Sequence, residues 1–187
     1  EHGDIDKRYG FVMGGGKPEG AFVPKKEDVV PPCAVKTLPV QDGDVFDLGG
    51  VQIEAIAVPG HTVGTMVYLD RARRVLYSGD ACNANTLLGL PCSTTVETYA
   101  KSLDHLATYL KGIDKFYGGH GLQAVPAYIV DEALILCEEI LSDDDDRFET
   151  EFLGRKFLYA RKFDGMFHRE DGGIANIAYV MEKVYNK

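Results

Sequence analysis

The alternation of apolar and polar positions is clearest between Val51 and Val58, where Val51, Ile53, Ala55 and Ala57 fall on one face. That period of two is the mark of a half-buried strand. Val45 to Leu48, set between the turns Gln41-Asp42-Gly43-Asp44 and Gly49-Gly50, reads as a strand before it, and Val35 to Val40 as another. Thr65 to Leu69 and Arg74 to Tyr77 read as two more, joined by the charged turn Asp70-Arg71-Ala72-Arg73. The succession predicts antiparallel hairpins. The period then becomes helical, with Val96, Tyr99, Ala100, Leu103, Leu106, Ala107 and Leu110 on one stripe. Thr94 and Glu97 have the spacing of a capping box, and Gly112 is a stop. Ile113 to Tyr117 predicts a short strand. A second helix is expected to start near Pro126 and run through Leu134, Cys137 and Leu141. It ends near Asp143 to Asp146, an acidic run that reads as a solvated helix end.

The remaining sequence is different at each end. Residues 1–34 are weakly patterned, with Gly14-Gly15-Gly16 and prolines at 18, 24, 31 and 32, and read as an irregular N-terminal segment. Residues 148–187 form an aromatic-rich C-terminal extension, with strands expected around Gly165 and Asp171-Gly172-Gly173. Strands and helices segregated in this order predict an α+β layered fold, with residues 1–187 as a single domain.

Composition narrows the function. The 187 residues carry a net charge of -9, which repels a polyanion, so no nucleic acid is expected as partner. No apolar run approaches the roughly 20 residues of a membrane-spanning helix, so no membrane partner is expected either. Residues 1–10 are polar, unlike a secretory signal. Cys33, Cys82, Cys92 and Cys137 form no CxxC pair and read as reduced thiols of a cytoplasmic protein. The chain lacks an initiator Met, as a fragment or processed form would.

Three phrases carry chemistry. They are Pro59-Gly60-His61-Thr62, Tyr77-Ser78-Gly79-Asp80-Ala81 and Gly118-Gly119-His120-Gly121. Each sets one good metal ligand just after a predicted strand, beside glycines that let the chain turn sharply and keep bulk away from an ion. Singly, each is ordinarily a turn or a cap. Together they supply two imidazoles and a carboxylate, a set that suits zinc, iron or manganese, and a carboxylate is able to bridge two ions.

The phrases PGHTVGT, YSGDA and GGHG resemble the later metal-binding motifs of the metallo-β-lactamase superfamily, and the likeness spans about residues 36 to 124. The resemblance implies an αββα sandwich, or its C-terminal portion, and two zinc ions in the intact protein, with iron or manganese as substitutes. It implies His61 as a ligand of the first ion, Asp80 as the bridge and His120 as a ligand of the second. It also implies that C-terminal elements shape a substrate pocket, for which Tyr159, Phe163 and His168 are the candidates, though a packed or exposed hairpin is the plainer reading. The implied reaction is hydrolysis of a small ester, thioester or amide-like bond by metal-activated water.

The family's upstream HxHxDH motif has no counterpart here. The segment His2-Gly3-Asp4-Ile5-Asp6-Lys7 is either a degenerate version of it or an ordinary polar stretch downstream of a motif lost by truncation. Lys7 would put a cation where a ligand belongs, which favours truncation. Three ligands shared between two ions close neither site. The chain alone is therefore expected to bind metal weakly and hydrolyse little. It is also expected to self-associate, or to associate with a missing N-terminal portion, through a bare sheet face. The alternatives are an iron-dependent redox member of the superfamily and a non-catalytic binding or scaffold protein. Of the other residues, His105 reads as a boundary residue of the first helix and Cys82 as a buried inert thiol.

Overall fold

The computed structural model describes residues 25–28, 30, 34, 36–120, 124–152, 155–164 and 167–187. His2, Asp4, Asp6, Lys7, Gly14-Gly15-Gly16, Cys33 and Gly165 lie outside these described residues. The chain divides into two compact units, residues 1–39 and 40–187. Within the first, a 3-10 turn covers Lys26–Asp28.

The second unit is built on a six-stranded sheet. Its strands are β1 (Val45–Asp47), β2 (Gln52–Ala57), β3 (Met66–Asp70), β4 (Val75–Gly79), β6 (Lys115–Gly118) and β7 (Val125–Pro126), in the order β1-β2-β3-β4-β6-β7. Cross-strand pairs put Ile56 beside Val67, Leu69 beside Leu76, and Leu76 beside Phe116. All are fully buried beneath the helices α1 (Val96–Ala107) and α2 (Ile129–Ser142). The helices add Val96, Tyr99, Leu103 and Leu106 from α1, and Ile129, Val130, Leu136 and Cys137 from α2. Each fully buried Leu, Ile or Val contributes about 1.5–3 kcal/mol. The opposite face carries the row Tyr68, Tyr77 and Tyr117, which are 36%, 43% and 40% exposed. A second sheet joins β5 (Thr86–Leu87) to β10 (Ile177–Tyr179), β9 (Arg155–Tyr159) and β8 (Phe148–Phe152), in the order β5-β10-β9-β8. Two sheets with helices segregated on one face make the fold α+β.

Several local expectations are corrected. Residues 36–40 are exposed and unpaired in any sheet, so no strand forms there. The cap of α1 is Thr95 rather than Thr94: its Oγ1 accepts from the Thr98 amide at 3.2 Å. Glu97 does not complete a capping box. Its carboxylate instead accepts from the Asn186 amide (3.0 Å) and from Lys101 (2.8 Å). Pro126 does not open α2. It ends the edge strand β7, where its missing N–H costs no ladder bond, and α2 begins at Ile129. The acidic run is only partly solvated. The Asp145 side chain is buried and accepts from the Tyr179 hydroxyl at 2.7 Å, and Arg147 pairs with both Asp143 and Asp145.

The cap makes a simple prediction. Thr95→Ala removes the acceptor of an orphan helix amide and a 2.7 Å donation to Asn186. It should cost about 1–2 kcal/mol, read as a lower urea midpoint with an unchanged m-value.

Candidate metal centre

Strand direction explains why residues far apart in sequence meet. β2 is antiparallel to β3, β3 is antiparallel to β4, and β4 is parallel to β6. β2, β4 and β6 therefore all run the same way and end at one edge of the sheet. His61 follows β2, Asp80 follows β4 and His120 follows β6. Loops at the carboxyl ends of such strands form a crevice suited to ligands.

Each loop is held by identifiable contacts. The His61 loop is closed by Val58 N–H to the Thr65 carbonyl (2.9 Å) and Thr62 N–H to Thr65 Oγ1 (3.0 Å). It is tied to residues 92–94 by Val63 N–H to the Cys92 carbonyl (3.0 Å) and Thr94 N–H to the Gly60 carbonyl (2.9 Å). Gly60 lies against Tyr99, where an added Cβ would sit 2.3 Å from a ring carbon. The Tyr99 hydroxyl donates to the Ala81 carbonyl at 2.7 Å, so one buried side chain supports both the His61 and the Asp80 loops. Gly79 takes φ +53, a left-handed turn that glycine adopts without strain and that aims Asp80 off the end of β4. Gly119 donates its N–H to the Gly79 carbonyl (2.8 Å), and a Cβ there would come within 2.8 Å of Asp80 Oδ1. The glycine thus leaves room for the carboxylate.

The three donors converge. Asp80 Oδ2 is 3.9 Å from His61 Nε2, and Asp80 Oδ1 is 3.4 Å from His120 Nε2. The side chains of His61, Asp80 and His120 are 20%, 35% and 84% exposed, a gradient from a held side chain to an open one. Asn83 donates its amide to Asp80 Oδ1 at 3.4 Å, and His61 Nδ1 lies 3.1 Å from the Leu87 carbonyl. A carbonyl only accepts, so Nδ1 is the donor in that contact, and Nε2 is the nitrogen that faces Asp80. Such an outer hydrogen bond is the usual support of a metal-binding imidazole.

Two ligands of one tetrahedral zinc lie roughly 3.3–3.6 Å apart, given bonds of about 2.0–2.2 Å. The His120–Asp80 pair has that spacing, and the His61–Asp80 pair is slightly wider. Among the described residues no group of three or more His, Cys, Asp or Glu is gathered closely enough for one ion. The arrangement is instead two pairs sharing a carboxylate, one oxygen facing each imidazole. Two imidazoles and a carboxylate are donor types that suit zinc, iron or manganese, and these three alone would leave a bound ion short of ligands.

The candidate pocket residues are placed differently from one another. Tyr159 is fully buried and stacks at 5.8 Å on Phe148 and at 4.6 Å, tilted, on Phe163, which lies 5.0 Å from Phe167. Burial pushes the Tyr159 hydroxyl up, partly offset by the Asn85 side chain. Leu87 and Leu90 pack on this aromatic cluster, and Leu87 is the residue whose carbonyl holds His61. His168 is an exposed side chain paired with Asp164 at 3.2 Å. His105 pairs with Asp42 at 3.1 Å. A cleft of about 540 Å³ lined by Val45, Asp47, Gln52, Glu54 and Arg71 opens at the start of β2, the opposite edge from the three donors.

Cys82, two residues from Asp80, is buried, and burial pushes its thiol up to about 12. Cys137 is pushed up in the same way, whereas Cys92 is exposed. The thiolate is the reactive form. Iodoacetamide at neutral pH should therefore label Cys92 and leave Cys82 and Cys137 unmodified, as read by peptide mass mapping. Asn83, Leu87 and Ser93 are the site's supporting residues that sequence reasoning missed. The local Asn83-Ala84-Asn85-Thr86 run of turn formers was the available signal for the first.

Residues 3–147 match the family model of the metallo-beta-lactamase superfamily, and the chain belongs to that superfamily. It is similar to the human acyl-coenzyme A thioesterase MBLAC2, 31% identical over 86 residues, covering 45% of this chain and 31% of that protein. It is similar also to a hydroxyacylglutathione hydrolase of Brucella anthropi, 35% identical over 101 residues, covering 52% of this chain and 36% of the other. The chain thus spans about a third of the length of these curated relatives. Among solved structures, a metallo-beta-lactamase family protein from Thermus thermophilus aligns with 24% identity and a TM-score of 0.47, over 76% of this chain and 49% of that one. Among the described residues no helix is long and apolar enough to cross a membrane.

Proposed function

We propose that this chain carries one part of the active site of a metal-dependent hydrolase, and that the bond cut is an acyl thioester. The observation that carries the reading is the convergence of His61, Asp80 and His120 at one sheet edge, with the two carboxylate oxygens facing different imidazoles. Bound zinc, or iron or manganese in its place, would supply a water of lowered pKa and a Lewis acid for the carbonyl oxygen. The chain's own residues supply orientation. The Leu87 carbonyl fixes the protonated nitrogen of His61, Asn83 steadies Asp80, and Gly119 keeps space beside the carboxylate. The open His120 edge leaves access for a substrate.

The choice of bond rests on the relatives. Acyl-coenzyme A and hydroxyacylglutathione are both acyl groups carried on a thiol, and the matched relatives are named for acting on them. Phe163 and Leu87, both partly buried where they pack against the buried Tyr159, offer apolar surface for an acyl chain. The experiment is hydrolysis of S-lactoylglutathione and of acetyl- and palmitoyl-coenzyme A, followed by thiol release, with zinc added. The reading expects turnover that exceeds hydrolysis of the matching oxygen ester and that disappears in His61→Ala. Turnover that persists in His61→Ala, or none in any longer natural form of the protein, would overturn it.

A further inference from the structure

We infer that Ser93 and Lys183 are positioning residues for the His61 ligand, acting through the Leu87 carbonyl; the inference rests on the reading of His61 as a metal ligand. The buried Ser93 hydroxyl, in a residue 6% exposed, sits between the two backbone groups that define the His61 side chain's setting. It lies 2.8 Å from the His61 carbonyl and 3.2 Å from the Leu87 carbonyl, and its oxygen accepts from the Leu90 amide at 3.2 Å. One hydroxyl proton is shared between the two carbonyls, the shorter contact taking the larger part. The His61 main chain and the acceptor of its ring N–H are thereby tied to a single atom.

Lys183 fixes the turn that holds Ser93. Its ammonium donates to the carbonyls of Leu90 (2.6 Å) and Ser93 (2.6 Å) and reaches that of Pro91 (3.4 Å). An ammonium has three donors, and here three backbone carbonyls face it. The residue reaches this place because the 3-10 turn Met181–Lys183 follows β10, and β10 pairs with β5, which contains Leu87. Leu88 N–H to the Ala178 carbonyl, at 2.7 Å, extends that pairing. The C-terminal element therefore grips the Leu87 strand with its backbone and the Leu90–Ser93 turn with one side chain. A change in either grip moves the Leu87 carbonyl relative to the imidazole and releases the choice of which ring nitrogen carries the proton.

The test is the tautomer of the neutral His61 ring in metal-free protein, read by long-range 15N–1H NMR after chelator treatment. Wild type should show His61 with the proton on Nδ1. Ser93→Ala should produce a mixture with the Nε2–H form, and Ser93→Thr, which keeps the hydroxyl, should restore the single form. Lys183→Met should shift the ring in the same direction as Ser93→Ala and decides the matter if that variant does not fold. Zinc affinity should fall about 10-fold in Ser93→Ala, the lower end of what loss of an outer hydrogen bond costs. A His61 ring that stays wholly Nδ1–H in folded Ser93→Ala and in Lys183→Met, or is Nε2–H in wild type, would overturn the inference. A wild-type ring held as Nδ1–H but indifferent to zinc would instead count against the metal-centre reading alone.

Discussion

Asp80→Ala should abolish metal binding more completely than loss of either imidazole. Asp80 is the anionic member of the three donors, and each of its oxygens faces a different histidine at 3.9 and 3.4 Å. Removing His61 leaves the Asp80–His120 pair, and removing His120 leaves the Asp80–His61 pair. Removing Asp80 breaks both pairs at once and takes away the negative charge that would offset two cations. The expected loss in zinc affinity is more than about 100-fold, beyond the 10–100-fold that follows loss of an outer hydrogen bond. Competition with a chromogenic chelator measures it. The fold should persist, because the Asp80 side chain is partly exposed and the turn beneath it is set by backbone, through Gly79 and the 3.0 Å bond from Ala81 N–H to the Ser78 carbonyl.

Gly60→Ala should have the largest effect on stability. The added methyl would sit 2.3 and 2.9 Å from two carbons of the Tyr99 ring. That ring is fully buried within the main core and cannot swing away without breaking its 2.7 Å bond to Ala81. Overpacking of this kind, with an unpaired buried carbonyl left behind, costs about 2–4 kcal/mol. Tyr99→Phe separates the two contributions, since it keeps the ring and removes only the hydroxyl, for about 1–3 kcal/mol. The two changes share one contact and should not add. Urea unfolding of both single variants and the double variant reads the coupling. The same displacement loosens the loops of His61 and Asp80 together, so weaker zinc binding should accompany the stability loss in Gly60→Ala.

The parts of this structure that were legible in the sequence are those with local causes. The alternation of Val51 to Val58 marks β2, and the stripe from Val96 to Leu106 marks α1, because one face of each meets the same core. The three candidate donors stood out because each lies beside glycines at a sharp turn, and Gly60, Gly79 and Gly119 each have a spatial or backbone reason to be there. The shared direction of β2, β4 and β6 was not legible, since it depends on which strands pair. β5 is two residues long and pairs in parallel with β10, some ninety positions on, which leaves no periodic trace. Lys183 reaches Leu90 and Ser93 across the same gap. Thr94 and Thr95 are equally good caps by type, and the choice between them falls to Thr94 N–H bonding the Gly60 carbonyl, which holds Thr94 in the His61 loop. The tyrosine row on the open sheet face remains the candidate surface for self-association, a proposal that light scattering of the Tyr77→Lys variant against wild type would check.

The central claim is that His61, Asp80 and His120 form one metal centre. Its most direct test is a zinc titration of the chain followed at the histidine rings by 15N NMR, with His105 and His168 as internal references. The account predicts that the Nε2 resonances of His61 and His120 move together, that His105 and His168 stay in place, and that Asp80→Ala removes the response. Zinc that leaves His61 and His120 unmoved, or that shifts them equally in Asp80→Ala, would contradict it.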